Sequence, residues 1–221
     1  MIKYILFDMD GVISDSETVN FRCLQPEFAK YGYDFTEEMY RNAIGLPHKN
    51  FAEYIARIFP DFTHLDEITD TSVNEVRRLT LAGKIPAKPF LNYILHTCRN
   101  LGLVMAVVSS NREDLVIPTL KGTGAYDCMS LIITQKDITK GKPDPEPYLI
   151  AAARLGASPE ECLVLEDAQA GIESACRAGM KVICIPDMKQ PDAEHASMCD
   201  AVLPSLRETA DWIRRRCGDD R

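Results

Sequence analysis

The segment 2–11 has the sequence IKYILFDMDG, and it decides the fold of this 221-residue chain. An apolar run with β-branched residues that ends near a glycine predicts a buried strand followed by a turn. Side chains two apart on a strand point to the same side, so Asp8 and Asp10 can serve one site. Open α/β sheets bind ligands at the carboxyl ends of their strands, which predicts a functional site here. A turn that simply favours Asp and Gly is the alternative interpretation.

Helical and strand patterns alternate along the second part of the chain. Strands are predicted at residues 103–108, 131–134, 162–165 and 181–185, with a short apolar step at 201–203. Helical patterns lie between them, and the last one runs through Trp212. Such alternation requires crossover connections, which predicts an α/β fold with a doubly wound parallel sheet.

The chain between the first strand and the later strands has helical spacing and no strand pattern. Phe21, Leu24 and Phe28, for example, recur at helical intervals. We therefore predict a small inserted α-helical domain. Its expected bounds are residues 15–85, and the catalytic core is expected to comprise residues 1–14 and 86–221.

The overall composition is that of an ordinary globular protein, with 46% hydrophobic and 26% charged residues. A formal net charge of −8 argues against a nucleic-acid partner, because such binding depends on neutralising phosphates with Lys and Arg. No apolar run approaches the ~18 residues of a membrane span, and no signal peptide is predicted. The eight cysteines include no C-x-x-C pair, which is typical of a reduced protein without disulfides or a zinc site. We expect a soluble cytoplasmic monomer that binds neither nucleic acid nor a membrane.

Polar residues follow two further predicted strands and lie in one loop. Ser109 follows the second strand, and Glu166 and Asp167 follow the fourth. Lys142 lies in the loop KGKPDP, whose glycine and prolines restrict its geometry ahead of a helix. Each residue alone has an ordinary interpretation, as a helix cap, an acidic turn or a surface lysine. In a parallel sheet, however, these strand ends share one edge, so their joint presence indicates one site.

These residue types suit the transfer of a phosphoryl group. Asp8 would attack phosphorus as the nucleophile, while Asp10 would protonate the leaving oxygen and then deprotonate the attacking water. A carboxylate that attacks a phosphate dianion faces charge repulsion, which a bound cation, Lys142 and the Ser109 hydroxyl would offset. Oxygen ligands favour Mg²⁺ over Zn²⁺. The side chains predicted to hold Mg²⁺ are those of Asp8, Glu166 and Asp167.

Four segments of the chain resemble the four ordered motifs of the haloacid-dehalogenase-like hydrolases. They are residues 7–12 (FDMDGV), 108–111 (VSSN), 141–145 (GKPDP) and 165–171 (LEDAQAG). The resemblance extends from Lys3 to about Ile185 and implies a Rossmann-like core with Asp8 as nucleophile and Asp10 as acid and base. It also implies that the backbone carbonyl of Asp10 is a further Mg²⁺ ligand. Two residues of the second motif, Ser110 and Asn111, are predicted to bind the substrate.

The insertion directly after the first motif resembles the subgroup of this family with a small α-helical cap. That subgroup includes β-phosphoglucomutase and many phosphatases of sugar phosphates and other small metabolites. The presence of Asp10 points to phosphate esters, because family members that act on other leaving groups lack this residue. β-Phosphoglucomutases carry a histidine where this chain has Asn20, and asparagine cannot transfer a proton near neutral pH.

Asn20, His48 and Lys49 are the predicted substrate-binding residues of the helical insertion. His48 and Lys49 lie in a loop that departs from the mutase pattern. They either contact an anionic substrate when the insertion closes over it, or are solvated residues at a helix start. The sequence leaves these two interpretations open.

The sequence as a whole predicts a Mg²⁺-dependent phosphatase that hydrolyses a small phosphorylated metabolite through an aspartyl-phosphate intermediate. A sugar or polyol phosphate is the expected substrate. The alternatives are a β-phosphoglucomutase-like sugar-phosphate mutase and a catalytically silent phosphate-binding module that shares the fold.

Overall fold

A computed structural model describes residues 1–217 and shows a six-stranded parallel sheet at the centre of the molecule. The strands are β1 (Tyr4–Phe7), β2 (Val104–Val108), β3 (Leu131–Ile133), β4 (Cys162–Glu166), β5 (Lys181–Cys184) and β6 (Ala201–Val202). Their order across the sheet is β3-β2-β1-β4-β5-β6. The predicted α/β fold with a Rossmann-like, doubly wound sheet is confirmed. The end of the predicted core, residues 218–221, lies outside the described part of the chain.

The helices that follow β1 form a small unit with its own hydrophobic cluster. They are α1 (Ser16–Ala29), α2 (Glu37–Ala43), α3 (His48–Ile58) and α4 (Leu65–Leu81). Within the cluster, the rings of Phe28 and Phe35 stack at 4.4 Å between centroids, and Phe28 also contacts Phe62 at 4.9 Å. Aromatic rings bury a large apolar area, so this cluster gives the unit a core separate from that of the sheet. We call α1–α4 the cap; its bounds at residues 15 and 85 stay a prediction.

Helices cover both faces of the sheet. They are α5 (Leu91–Asn100), α6 (Glu113–Gly122), α7 (Glu146–Leu155), α8 (Gln169–Arg177), α9 (Ala193–Met198) and α10 (Leu206–Cys217). Ile5 and Phe7 of β1 pack in the cluster that includes α5, α6 and α10, whereas Leu6 packs in the cluster that includes α7 and α8. Burial on both faces explains why the central strands are continuous apolar runs. No helix within residues 1–217 is long and apolar enough to span a membrane.

Two linker segments join the cap to the core, and they pair with each other. The Asp15 N–H donates to the Pro86 carbonyl at 2.8 Å, and the Lys88 N–H donates to the Ile13 carbonyl at 2.9 Å. The Lys88 ammonium also forms ion pairs with Asp15 at 3.2 Å and with Asp187 at 2.5 Å. Asp187 lies in the loop after β5. The ion pairs of Lys88 therefore connect both linkers to the edge of the sheet.

Cap and core also meet where α6 approaches the turn that follows α4. Gly122 is the last residue of α6, and a Cβ at this position would lie 2.3 Å from the carbonyl oxygen of Gly83. A residue without a side chain is therefore needed for the two backbones to come this close.

Gly122→Ala should lower the free energy of unfolding by about 1–3 kcal/mol, because its methyl group would collide with backbone rather than with a flexible side chain. Chemical denaturation measures this change. Gly141→Ala is the matched control, since a Cβ there has no neighbour within 4 Å. The control should differ from the wild type by about 0.5 kcal/mol or less. Equal stabilities of the two variants would contradict the proposed contact.

Candidate active site at the carboxyl edge of the sheet

The Lys142 ammonium lies between two carboxylates at the carboxyl edge of the sheet. Its Nζ is 2.5 Å from Asp8 Oδ1 and 2.6 Å from Glu166 Oε1. It also donates to the Val108 carbonyl at 3.1 Å, and only 9% of its side chain is exposed. Val108, Asp8 and Glu166 lie at the ends of the neighbouring strands β2, β1 and β4. The sheet order therefore brings the partners of Lys142 together.

The Glu166 carboxylate accepts a full set of hydrogen bonds. Oε1 accepts from Lys142 and from the Tyr148 hydroxyl, each at 2.6 Å. Oε2 accepts from the backbone N–H groups of Asp167 and Ala168, at 3.1 and 3.4 Å. These contacts occupy the acceptor positions of a carboxylate. Because its side chain is only 1% exposed, Glu166 is fixed in place and orients Lys142 in turn.

Two glycines of the sequence motifs lack the side chains that would occupy the space of the Glu166 and Asp167 carboxylates. A Cβ at Gly171 would lie 1.7 Å from Glu166 Oε1, and a Cβ at Gly11 would lie 2.2 Å from Asp167 Oδ2. Gly11 also has φ +73°, a left-handed conformation that favours glycine. These glycines are therefore required by the packing of the carboxylates.

Asp8, Glu166 and Asp167 form an acidic cluster whose ligand oxygens lie within 4.8 Å of one another. Burial, with the charges of Glu166 and Asp10, raises the pKa of Asp8 to about 8 against the opposing effect of Lys142. Burial and the neighbouring carboxylates also raise the pKa of Asp167 well above its ordinary value. Both shifts report burial first and then repulsion between crowded carboxylates, and a hard divalent cation with oxygen ligands would offset both effects. The cluster can therefore hold a divalent metal.

Asp10 lies beside the cluster and is oriented by two polar neighbours. Asn111 Nδ2 donates to Asp10 Oδ2 at 2.6 Å, and the Ser14 hydroxyl donates to Oδ1 at 3.4 Å. The buried Ser109 hydroxyl accepts from the Asn111 N–H at 3.1 Å, whereas Ser110 is exposed. The structure thus brings Asp10, Ser109 and Asn111 together, while their roles in catalysis and binding stay predictions.

Two cavities lie between the cap and this edge of the sheet. Cavity A, of about 340 Å³, is lined by Asp10 and Asn111 of the core and by Asn20 of the cap. Cavity B, of about 370 Å³, is lined by Asp167 and by residues of the loops that follow α2 and β5. Glu17, in the first turn of α1, lines both cavities. A small ligand at the carboxylates can therefore extend between cap and core.

The structure does not bring His48 and Lys49 to these cavities. Their side chains are 68% and 86% exposed and lie 3.6 Å from Asp66 and 3.9 Å from Glu53, within the cap. Neither residue lines cavity A or cavity B. In this conformation they are solvated residues at the start of α3, which is the second interpretation that the sequence left open. Their predicted contact with an anionic substrate, which requires the cap to close, stays a prediction.

Three side chains of the site were not predicted from the sequence: Tyr148, Glu17 and Asp187. Tyr148 lies in an apolar helical pattern and resembles any other core residue. Glu17 has the position of an ordinary acidic residue in the first turn of a helix. The sequence signal that could have identified Glu17 is its position directly after the linker, where α1 must begin next to the site.

Comparisons with known proteins identify the family and relatives of the chain. The family model described as "Haloacid dehalogenase-like hydrolase" matches residues 5–185. The protein YhcW of Bacillus subtilis (strain 168) is 34% identical over 195 residues, which cover 85% of this chain and 84% of that protein. Validoxylamine A 7'-phosphate phosphatase of Streptomyces hygroscopicus subsp. limoneus is 30% identical over 212 residues, which cover 94% of this chain and 96% of that protein.

A solved structure shares the fold over nearly the whole chain. A HAD family hydrolase from Deinococcus radiodurans R1, with bound phosphate and sodium, superposes with a TM-score of 0.85 at 23% identity. The match covers 97% of this chain and 96% of that chain. This likeness shows the fold, and the family model confirms the family resemblance carried by the four sequence motifs.

Tyr148→Phe should lower the free energy of unfolding by about 1.5–3 kcal/mol, because the charged Glu166 loses one buried hydrogen bond. Chemical denaturation measures the change. Tyr126→Phe, at a half-buried tyrosine outside the site, is the control and should have a smaller effect. A Tyr148→Phe protein as stable as the wild type would show that this hydroxyl does not support the acidic cluster.

Proposed function

The chain belongs to the haloacid dehalogenase-like hydrolases, and we propose that it is a Mg²⁺-dependent phosphatase acting through an aspartyl-phosphate on Asp8. The proposed substrate is a small phosphorylated metabolite, specifically a sugar or polyol phosphate. The observation that carries the proposal is the contact of one buried lysine, Lys142, with Asp8 and Glu166 beside Asp167. A relative that aligns with 94% of this chain is named as a phosphatase, which supports the same reaction class.

Asp8 is the proposed nucleophile. One of its carboxylate oxygens attacks phosphorus while the bond from phosphorus to the leaving oxygen breaks, which gives the aspartyl-phosphate. The Lys142 ammonium, 2.5 Å from Asp8, offsets the repulsion between the carboxylate and the phosphate dianion. Ser109 and Asn111, which follow β2, are proposed to bind the phosphoryl oxygens.

Asp10 is proposed to move the proton of each step. It donates a proton to the leaving oxygen in the first step. In the second step it accepts a proton from the water that attacks the aspartyl-phosphate, so that inorganic phosphate leaves and both aspartates are restored. The hydrogen bonds from Asn111 and Ser14 hold the Asp10 carboxylate in position for these transfers.

Asp8, Asp167 and the backbone carbonyl of Asp10 are the proposed ligands of Mg²⁺. Bound Mg²⁺ would stabilise charge on the phosphoryl oxygens and relieve the repulsion within the acidic cluster. Glu166 was also predicted as a ligand, but its oxygens already accept hydrogen bonds from four groups. We therefore assign Glu166 the role of holding Lys142 and the backbone at Asp167.

The substrate class follows from the cavities. Their volumes of about 340 and 370 Å³ suit a small metabolite. Amide and carboxylate side chains, among them Asn20, Asn111 and Glu17, line cavity A and can bind several hydroxyl groups. This lining supports a sugar or polyol phosphate.

The two alternative functions receive less support. A mutase relay through the first cap helix would need an ionisable group at Asn20, which lines cavity A but cannot transfer a proton. A silent phosphate-binding module would not need the complete catalytic set. Asp8, Asp10 and Lys142 are all present, and the ammonium is already placed beside the proposed nucleophile.

Asp8→Asn should abolish Mg²⁺-dependent release of inorganic phosphate, because an amide oxygen is too weak a nucleophile to attack phosphorus. The assay uses a panel of an aryl phosphate, pentose and hexose phosphates and β-glucose 1-phosphate, with Mg²⁺ or with a chelator. Asp127→Asn, an exposed residue before β3, is the matched control and should keep wild-type rates. Conversion of glucose 1-phosphate to glucose 6-phosphate without phosphate release would instead indicate a mutase.

Asp10→Asn should slow hydrolysis of alkyl phosphates by about 10²–10⁴, because these poor leaving groups need a proton from Asp10. Aryl phosphates, whose leaving groups are more stable as anions, should be slowed less in the first step. Pre-steady-state release of the alcohol from both kinds of ester measures that step separately. Equal slowing of alkyl and aryl esters would argue against the acid role of Asp10.

A further inference from the structure

Carboxylates of both the cap and the core line the two cavities away from the proposed nucleophile. Glu17, Asp167 and Asp187 line cavity B, and Glu17 also lines cavity A. Mg²⁺ at the acidic cluster would neutralise Asp167, which leaves the charges of Glu17 and Asp187 to face the non-reacting end of a substrate. The catalytic steps proposed above use neither of these two residues.

Asp187 is held in place and has an oxygen with no hydrogen-bond partner. Its side chain is only 7% exposed, and Lys88 contacts Oδ1 at 2.5 Å. The following residue, Met188, packs against the aromatic cluster of the cap. This contact fixes the loop after β5 between the cap and the core. Among the described residues, Asp187 Oδ2 is buried and accepts no hydrogen bond. Asp187 lines cavity B, and a buried carboxylate oxygen without a donor is costly, so a ligand that brings a donor within reach of Oδ2 would recover this cost.

Glu17 is half-buried and fixed. The Tyr40 hydroxyl donates to Glu17 Oε2 at 2.5 Å, which holds the carboxylate at the wall shared by cavities A and B. Burial and the nearby carboxylates of Asp10 and Asp187 raise the pKa of Glu17. Glu17 and Asp187 therefore approach the same space from the cap and from the core.

Few cations offset these charges. Lys88 contacts both Asp15 and Asp187, so much of its charge is already balanced. Lys189 lines cavity B but is exposed at its rim. His48 and Lys49, the residues that could have bound a second anion, lie outside both cavities. Within the described lining, most ionisable side chains beyond the phosphate are therefore acidic.

We propose that Glu17 and Asp187 select substrates whose non-reacting end donates hydrogen bonds, through an ammonium group or hydroxyls, and that they disfavour a second anion. This inference rests on the proposed function, because it assigns the leaving group of that phosphatase. It makes Glu17 and Asp187 specificity-determining residues. An ammonium group would also gain from the negative charge, whereas a hydroxyl would gain only the hydrogen bonds.

Matched phosphate esters that differ in one group test this proposal. The two-carbon set is 2-aminoethyl phosphate, 2-hydroxyethyl phosphate and phosphoglycolate, and a three-carbon set repeats the same end groups. Glucosamine 6-phosphate and glucose 6-phosphate add a pair of sugar size. Calorimetry with Asp8→Asn and Mg²⁺ measures each dissociation constant without turnover. Release of phosphate from an aryl ester by the wild type tests the proposed function separately.

The ammonium or hydroxyl member of a set should bind at least about tenfold more tightly than the carboxylate member, since like charges repel at short range. Tightest binding of the ammonium member would identify charge as the selecting feature, and equal binding of the ammonium and hydroxyl members would identify hydrogen bonding. Glu17→Gln and Asp187→Asn, each combined with Asp8→Asn, should bring the ratios towards one. Glu160→Gln, at an exposed residue before β4, is the control and should keep the ratios.

Equal or tighter binding of the carboxylate members would overturn the proposal, as would ratios that survive both substitutions. A thermal unfolding test shows whether each double variant folds. If one does not fold, the order of binding measured with the single variant Asp8→Asn is enough to test the proposal. Absence of phosphate release with the predicted order of binding would overturn the phosphatase and keep the ligand class. Phosphate release together with tighter binding of the carboxylate members would keep the proposed phosphatase and overturn the proposed ligand class.

Discussion

The contact of one ammonium with the ends of three neighbouring strands is the interaction on which the site depends. Lys142 contacts Val108 at the end of β2, Asp8 directly after β1 and Glu166 at the end of β4. Without this cation, the buried carboxylates would face one another with little to offset their repulsion. Although burial lowers it, the pKa of Lys142 is raised well above its ordinary value by Asp8 and Glu166, so the lysine stays charged. The proposed nucleophile is therefore held as part of a network that the fold has already assembled.

The parallel sheet brings the residues of this network together, and two glycines leave the space in which its carboxylates pack. Parallel neighbours end at one edge, so residues far apart in sequence meet without long loops. The remaining constraint is steric. Gly11 and Gly171 leave the space that the carboxylates of Asp167 and Glu166 fill. The chemistry of the edge thus depends on backbone positions as much as on the charged residues themselves.

Local patterns in the sequence were enough to predict the sheet and the residues at its edge. Asp8, Asp10 and Ser109 follow apolar runs, and the order of strands and helices fixes where those runs end. Glu17 and Asp187 could not be predicted in the same way, because their roles depend on how the cap rests on the core. His48 and Lys49 show the converse: their charge suggested anion binding, but α3 turns them towards acidic neighbours in the cap.

The position of the two carboxylates proposed to select the substrate would link binding to the predicted closure of the cap. Glu17 begins the cap directly after the linker, whereas Asp187 belongs to the core and is held by Lys88. Bringing them to one cavity costs electrostatic energy that a hydrogen-bond donor between them recovers and an anion does not. A ligand shifts a conformational equilibrium only by its difference in affinity for the two states. If the cap closes over the substrate, as the sequence predicts, a donating end would favour the closed state and with it the exclusion of water from Asp8 during the proposed attack.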